Sequence, residues 1–157
     1  MPKIEIDSVP EIKGSRYPRP YNEPCMNRVR KALGDAGGLT QFGVNLLTLP
    51  PGAWSSQRHW HEGEDEFVWV LSGEVVLISN EGEEILKAGD CATFAKGEKN
   101  GHHLVNRGKA PATVLEVGTR TPEDSDMCYY PDADLVWNGP LGTYTQRDGV
   151  PYPKRGE

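Results

Sequence analysis

The 157-residue sequence predicts an all-β domain, a sandwich or closed barrel. Three observations carry that expectation. Short apolar runs recur at about ten-residue intervals from Leu39 to Thr119, each bounded by turn residues. Eighteen glycines and thirteen prolines are spread along the chain rather than clustered, which suits many short strands and argues against a helical bundle. Internal repeats, low-complexity segments and a helix-turn-helix region are all absent from the sequence.

The elements follow in chain order. Residues 1–27 are rich in proline and charge; the stretch GSRYPRPYNEP disfavours helix and central strand alike, so this segment reads as a surface arm. NRVRKALGDAGGL fits a short helix closed by Gly34 or a strand entering a GDAGG turn, and the strand is preferred. LTQFGVNLLTLPPG is a strand stopped at Pro50–Pro51–Gly52. Ser55 to Trp60 alternates with period two. EFVWVLSG and EVVLIS follow, parted by Ser72–Gly73. EEILKAGD comes after the Asn80–Glu81–Gly82 turn, and then CATFAKG, HHLVNRG and ATVLEVGT. Residues 39–120 form the expected β core. The tail, 121–157, packs back on it through Tyr129, Tyr130, Leu135 and Trp137. The whole chain, 1–157, is one domain.

A formal net charge of −6 disfavours nucleic acid and anionic membranes as partners. No apolar run is long enough for a signal peptide or a bilayer span. Cys25, Cys91 and Cys128 are widely spaced without a CxxC pair, as expected of reduced thiols in a cytoplasmic protein.

The chemistry concentrates in RHWHEGEDEFVWVLSG, Arg58 to Gly73. Residues two apart share a face on a strand but not on a helix. His59 and His61 therefore grip one ion only if they lie on a strand. A turn at Glu62–Asp65 would send the chain back antiparallel, bringing Glu66 beside the pair. All four histidines fall in two short windows, and the second, GDCATFAKGEKNGHHLVN, offers His102, with His103 as the alternative. Three imidazoles and a carboxylate suit one divalent transition metal ion: Mn, Fe, Co, Ni, Cu or Zn. Open coordination positions would make the site catalytic rather than structural.

These residues resemble the two motifs of the cupin superfamily. Gly52, His59, His61, Glu66 and Gly73 match the first motif, with one extra residue between Gly52 and His59. Gly89, Gly97, His102 and Asn106 match the second, where Ala95 replaces the usual proline and the Gly97–His102 segment is about two residues longer. The motifs cover roughly residues 45–118. The whole chain is similar to small bacterial single-domain cupins of the sugar-phosphate-isomerase-like kind. The resemblance implies a double-stranded β-helix, or jelly-roll barrel, with the metal inside. It leaves the reaction open.

Alternation places other residues around such a site. Ser55 and Gln57 would face inward with the histidines as substrate-binding candidates, and Val68 and Val70 would form an apolar wall. Glu116, within ATVLEVGTR, is a candidate general base. Arg58, Arg107 and Arg120 are cations near strand ends and candidates to hold an anion, and Tyr17 and Tyr21 are candidates to close the barrel mouth. If Glu66 faces inward, then Phe67, Trp69 and Leu71 point out as an apolar patch, which predicts a homodimer. Three function classes fit: a metal-dependent isomerase or epimerase acting on a small polar substrate such as a sugar or sugar phosphate, an Fe(II)-dependent dioxygenase, and a non-enzymatic small-ligand-binding or sensing module.

Overall fold

A computed structural model describes residues 2–154; the ends of the expected arm and tail, residue 1 and residues 155–157, lie outside the described residues. The protein is all-β, as the turn-punctuated pattern requires. The strands are β1 (Glu11–Lys13), β2 (Val29–Ala32), β3 (Phe42–Leu49), β4 (Trp60–His61), β5 (Glu66–Ser72), β6 (Glu74–Ser79), β7 (Gly82–Lys87), β8 (Cys91–Phe94), β9 (His103–Val105), β10 (Ala112–Thr119), β11 (Met127–Tyr129), β12 (Val136–Asn138) and β13 (Thr143–Thr145). They form a six-stranded sheet ordered β1-β2-β3-β10-β5-β8, a three-stranded sheet β7-β6-β9 and a four-stranded sheet β13-β12-β11-β4. Isolated bridges between Trp54 and Val105 and between His59 and His102 stitch the smaller sheets together.

Apolar side chains at every second position of the strands make the core. Leu47, Leu49, Val68, Val70 and Val114 from the six-stranded sheet meet Val75, Leu77, Leu86 and Leu104 from the facing one. Each such side chain, fully removed from water, contributes about 1.5–3 kcal/mol. A corner makes the facing arrangement possible: between β5 and β6 the chain changes sheet at Gly73, whose φ of 75° favours glycine. A Cβ there would come within 2.9 Å of the Pro111 carbonyl oxygen.

Arm and tail are more than a surface covering. β1 extends the large sheet through antiparallel pairing with β2. Tyr17 and Cys25 of the arm join Cys128, Tyr130 and Leu135 of the tail in a second buried cluster, with the Tyr17 and Tyr130 rings edge-to-face at 5.5 Å. The ambiguous segment after Asn27 takes both forms in succession, strand Val29–Ala32 and then a single helical turn Leu33–Ala36. The expected strand over 55–60 shrinks to Trp60–His61, and its antiparallel return with β5 does not form. β4 pairs with β11 instead, because the tail offers that edge a partner while β5 is flanked by β10 and β8.

Candidate metal centre

Four side chains converge inside the barrel. The Glu66 carboxylate, first residue of β5, has Oε2 2.7 Å from His102 Nε2 and 3.4 Å from His59 Nε2. Its Oε1 lies 3.5 Å from His61 Nε2. The hairpin expected to deliver Glu66 is absent, yet the convergence holds, because the His59–His102 bridge and the β4–β11 pairing set the rings in place.

Each ring is aimed by an acceptor on its other nitrogen. His59 Nδ1 lies 2.8 Å from the Gln57 carbonyl and His102 Nδ1 3.0 Å from the Asn100 carbonyl. His61 Nδ1 donates to Asp126 Oδ2 at 2.6 Å. Carbonyl oxygens only accept, so the hydrogen-bond network assigns the proton to Nδ1 and leaves Nε2 for the centre. Phe94 stacks on the His102 ring with centroids 3.4 Å apart.

The electrostatics tie the rings to the carboxylate. Burial penalises the His59 charge, but the Glu66 carboxylate outweighs it and raises the ring to about 9. His61 is likewise raised against burial, by Asp126, Cys128 and Glu66. Burial opposes ionisation of Glu66, and the three rings still hold it well below the usual carboxylate range. For His102, burial lowers the pKa despite the bond to Glu66. Donors about 2.1 Å from one ion stand roughly 3–4 Å apart. His59, Glu66 and His102 offer ligand atoms all within 4.8 Å of one another, so the cluster could hold a metal.

His103 points elsewhere. Its Nδ1 donates to the Ser56 carbonyl at 2.9 Å and its ring packs edge-on against Trp54. Ser55 Oγ accepts the Leu104 backbone N–H at 2.9 Å, and Gln57 donates to the Tyr21 carbonyl at 2.8 Å, tying the arm to the barrel. Glu116 lies opposite Val68 and Asn45 in the ladder. It therefore shares the inner face with Glu66, and burial raises its pKa against the pull of Arg28. Arg58 pairs with Asp132, Arg107 with Glu83 and Arg120 with Asp35 at the surface. Tyr17 is buried in the second cluster, and the Tyr21 hydroxyl accepts from the Asp134 backbone.

Over residues 45–118 the chain matches the cupin domain family. Over 97% of both chains it is 48% identical to a sugar phosphate isomerase from a cupin superfamily of Silicibacter pomeroyi, and the two structures superpose with a TM-score of 0.89. The chain belongs to the cupin superfamily. A protein of Acidithiobacillus ferrooxidans, itself only provisionally assigned as a sugar phosphate isomerase, is 29% identical to this cupin over 92% of its chain and 91% of the other, with a TM-score of 0.74. The oxalate-binding protein of Thermotoga maritima is 38% identical over 71 residues, 45% of this cupin and 56% of that protein. This cupin spans about half the length of the curated relatives it matches.

Two further groups stand beside the rings without any local sequence signal. Asp126 is buried, receives the Gly63 backbone N–H at 2.8 Å on its other oxygen, and is seated by Gly139, where a Cβ would collide with the Asp126 carbonyl. Cys128 stands directly opposite His61 in the β4–β11 pair, with its sulfur in reach of the His59 and His61 rings. Both belong to the tail, and no local spacing ties them to the histidines.

Proposed function

We propose that this cupin is a metal-dependent enzyme acting on a small polar substrate, an isomerase or epimerase of sugar or sugar-phosphate type. The observation that carries the reading is the common aim of three Nε2 atoms at Glu66, each ring fixed from behind by its own acceptor. The full-length likeness to the Silicibacter pomeroyi protein supports the reaction class.

His59, His61, His102 and Glu66 would hold one divalent transition metal, which would polarise a substrate carbonyl. Glu116 sits one ladder step from Glu66 on the neighbouring strand. Burial raises its pKa, which makes it a stronger base than an ordinary carboxylate. It would take the proton from the hydroxyl-bearing carbon beside the substrate carbonyl. Returning it to the carbonyl carbon, with the hydroxyl proton passing to the carbonyl oxygen, gives the isomer; reprotonation of the same carbon on its opposite face gives the epimer. Val68, Val70 and Val114 form the dry wall below it.

We also propose a homodimer through the outer face of the large sheet. Trp69 is 44% exposed and Leu71 43%, and no described residue of arm or tail covers them. Beside them a groove of about 400 Å³ runs between Phe42, Phe67, Thr93 and Val117. No helix among the described residues is long and apolar enough to cross a membrane.

The test of the metal reading is elemental analysis of the double variant His59→Ala/His61→Ala. The expected result is loss of the metal with an unchanged β-type circular dichroism spectrum. A full metal equivalent in the double variant would remove the assignment. Turnover of sugar or sugar-phosphate substrates by the metal-loaded protein tests the reaction; oxygen uptake restored by Fe(II) alone, or tight binding without turnover, would replace it.

A further inference from the structure

Strand β2 sets Arg30 opposite Leu47, a fully buried residue of the barrel core. Alternation puts Arg28, two residues earlier, on the same inner side. Arg28 is anchored: Nε donates to the Gly14 carbonyl at 3.0 Å, and a terminal N–H donates to the Ser55 carbonyl. Arg30 is not. Its Nε is buried without a hydrogen-bond partner among the described residues. Among the described residues neither guanidinium enters an ion pair.

Two like charges side by side in a barrel wall, with a donor left unused, form a costly arrangement for the free protein. Burial and the Arg28 charge together lower the Arg30 pKa. Two acids act on Arg30, Glu116 and Asp35; Asp35 is already paired with Arg120, and Glu116 feels Arg28 and Arg30 on one side and Glu66 and His59 on the other. It stands two strands from β2 in the sheet order. One ladder step along β10, about 7 Å, separates it from Val114, which shares a row with Leu47 and Arg30.

We infer that Arg28 and Arg30 form an anion subsite of the barrel cavity, which takes the phosphate or carboxylate head of the substrate while its other end lies at the His59–Glu66–His102 cluster. The inference rests on the metal-enzyme reading for what occupies that other end, and it places the proton-moving Glu116 between the two. Planar guanidiniums present paired donors to an oxyanion, and Arg30 Nε is such a donor with nothing to meet. The subsite also gives the barrel a cation pair for an acidic substrate, a task that surface-paired Arg58, Arg107 and Arg120 do not serve.

The test is calorimetric titration of the metal-loaded protein, at constant ionic strength, with inorganic phosphate and separately with acetate, alongside Arg30→Met and Arg30→Lys. At least one anion is expected to bind wild type and raise its Tm. Arg30→Met is expected to bind that anion about tenfold weaker or more, with metal content unchanged. Its Tm without anion should stay at or above that of wild type, because an unpaired guanidinium has been removed. Should Arg30→Met not fold, Arg30→Lys keeps the charge but lacks Nε, and is expected to bind measurably weaker than wild type. Binding of phosphate alone marks a phosphate ester as ligand, and of acetate alone a carboxylate. If neither anion binds, or if the variant that folds binds as tightly as wild type, the subsite is overturned. A protein that binds the anion yet turns over no substrate would defeat the isomerase reading and leave the subsite standing.

Discussion

Asp126 and His61, 65 residues apart in the chain, meet at 2.6 Å between Oδ2 and Nδ1. Asp126 is 5% exposed and forms no ion pair with lysine or arginine among the described residues. Its one basic partner is a ring whose other nitrogen faces Glu66. Burying a carboxylate this way is costly unless the partner can carry positive charge or bind a cation.

Asp126→Asn should therefore weaken metal binding by about 10–100-fold. The two Asp126 oxygens accept from His61 Nδ1 and from the Gly63 N–H. An asparagine has one acceptor for two donors. Either the Gly63 N–H faces an NH2 group, or the His61 ring must accept at Nδ1 and carry its proton on Nε2, where the metal should bind. Metal affinity from chelator competition checks this, with ring-nitrogen NMR shifts reporting the His61 tautomer. An unchanged affinity, whatever the change in Tm, would reduce Asp126 to a scaffold residue.

How much of this the sequence announced depended on distance along the chain. His59, His61 and Glu66 lie within eight residues, and strand alternation already groups the two rings. His102 followed from the second motif. The route was less legible: β4 is two residues long and pairs with the tail rather than with β5, a choice made by a strand about 65 residues downstream that no local pattern encodes. Asp126 and Cys128 arrive through that same pairing. Arg28 and Arg30 were hidden differently: only a strand puts both on the inner face, and although strand is the preferred reading of NRVRKALGDAGGL, nothing in that segment marks which of its faces turns inward. The arginines that stood out, Arg58, Arg107 and Arg120, had acidic partners at the surface.

The adjacent histidines of β9 and its approach separate cleanly. His102→Ala should cost the metal, because its Nε2 is 2.7 Å from Glu66. His103→Gln should retain it, since that ring is occupied by the Ser56 carbonyl and Trp54. Elemental analysis of the two purified variants decides. Metal lost from His103→Gln but kept in His102→Ala would reverse the assignment.

The outer sheet face makes a prediction about assembly. Leu115 lies opposite Trp69, and Val117 opposite Phe67, so apolar side chains run across neighbouring strands on the side away from the metal. Light scattering is expected to give a dimer for wild type and a monomer for Trp69→Glu, with metal content kept. Wild type that scatters as a monomer at working concentrations would dispose of the dimer.

Glu116 links the cavity to pH. Burial raises its folded pKa, with Arg28 opposing and Glu66 adding to the rise. Its unfolded value is about 4.3. Between the two values the folded state holds more protons than the unfolded one, so stability falls as pH rises through that window and the full loss is present above the folded pKa. Glu116→Gln keeps the shape and removes the titration. In metal-free protein the variant should gain on wild type as pH rises, standing higher in relative Tm at pH about 8 than at pH about 4.5. Thermal melts at both ends check the sign. A Tm difference independent of pH would show that Glu116 folds with an unperturbed carboxyl, and with it would go the argument that burial strengthens this residue as a base.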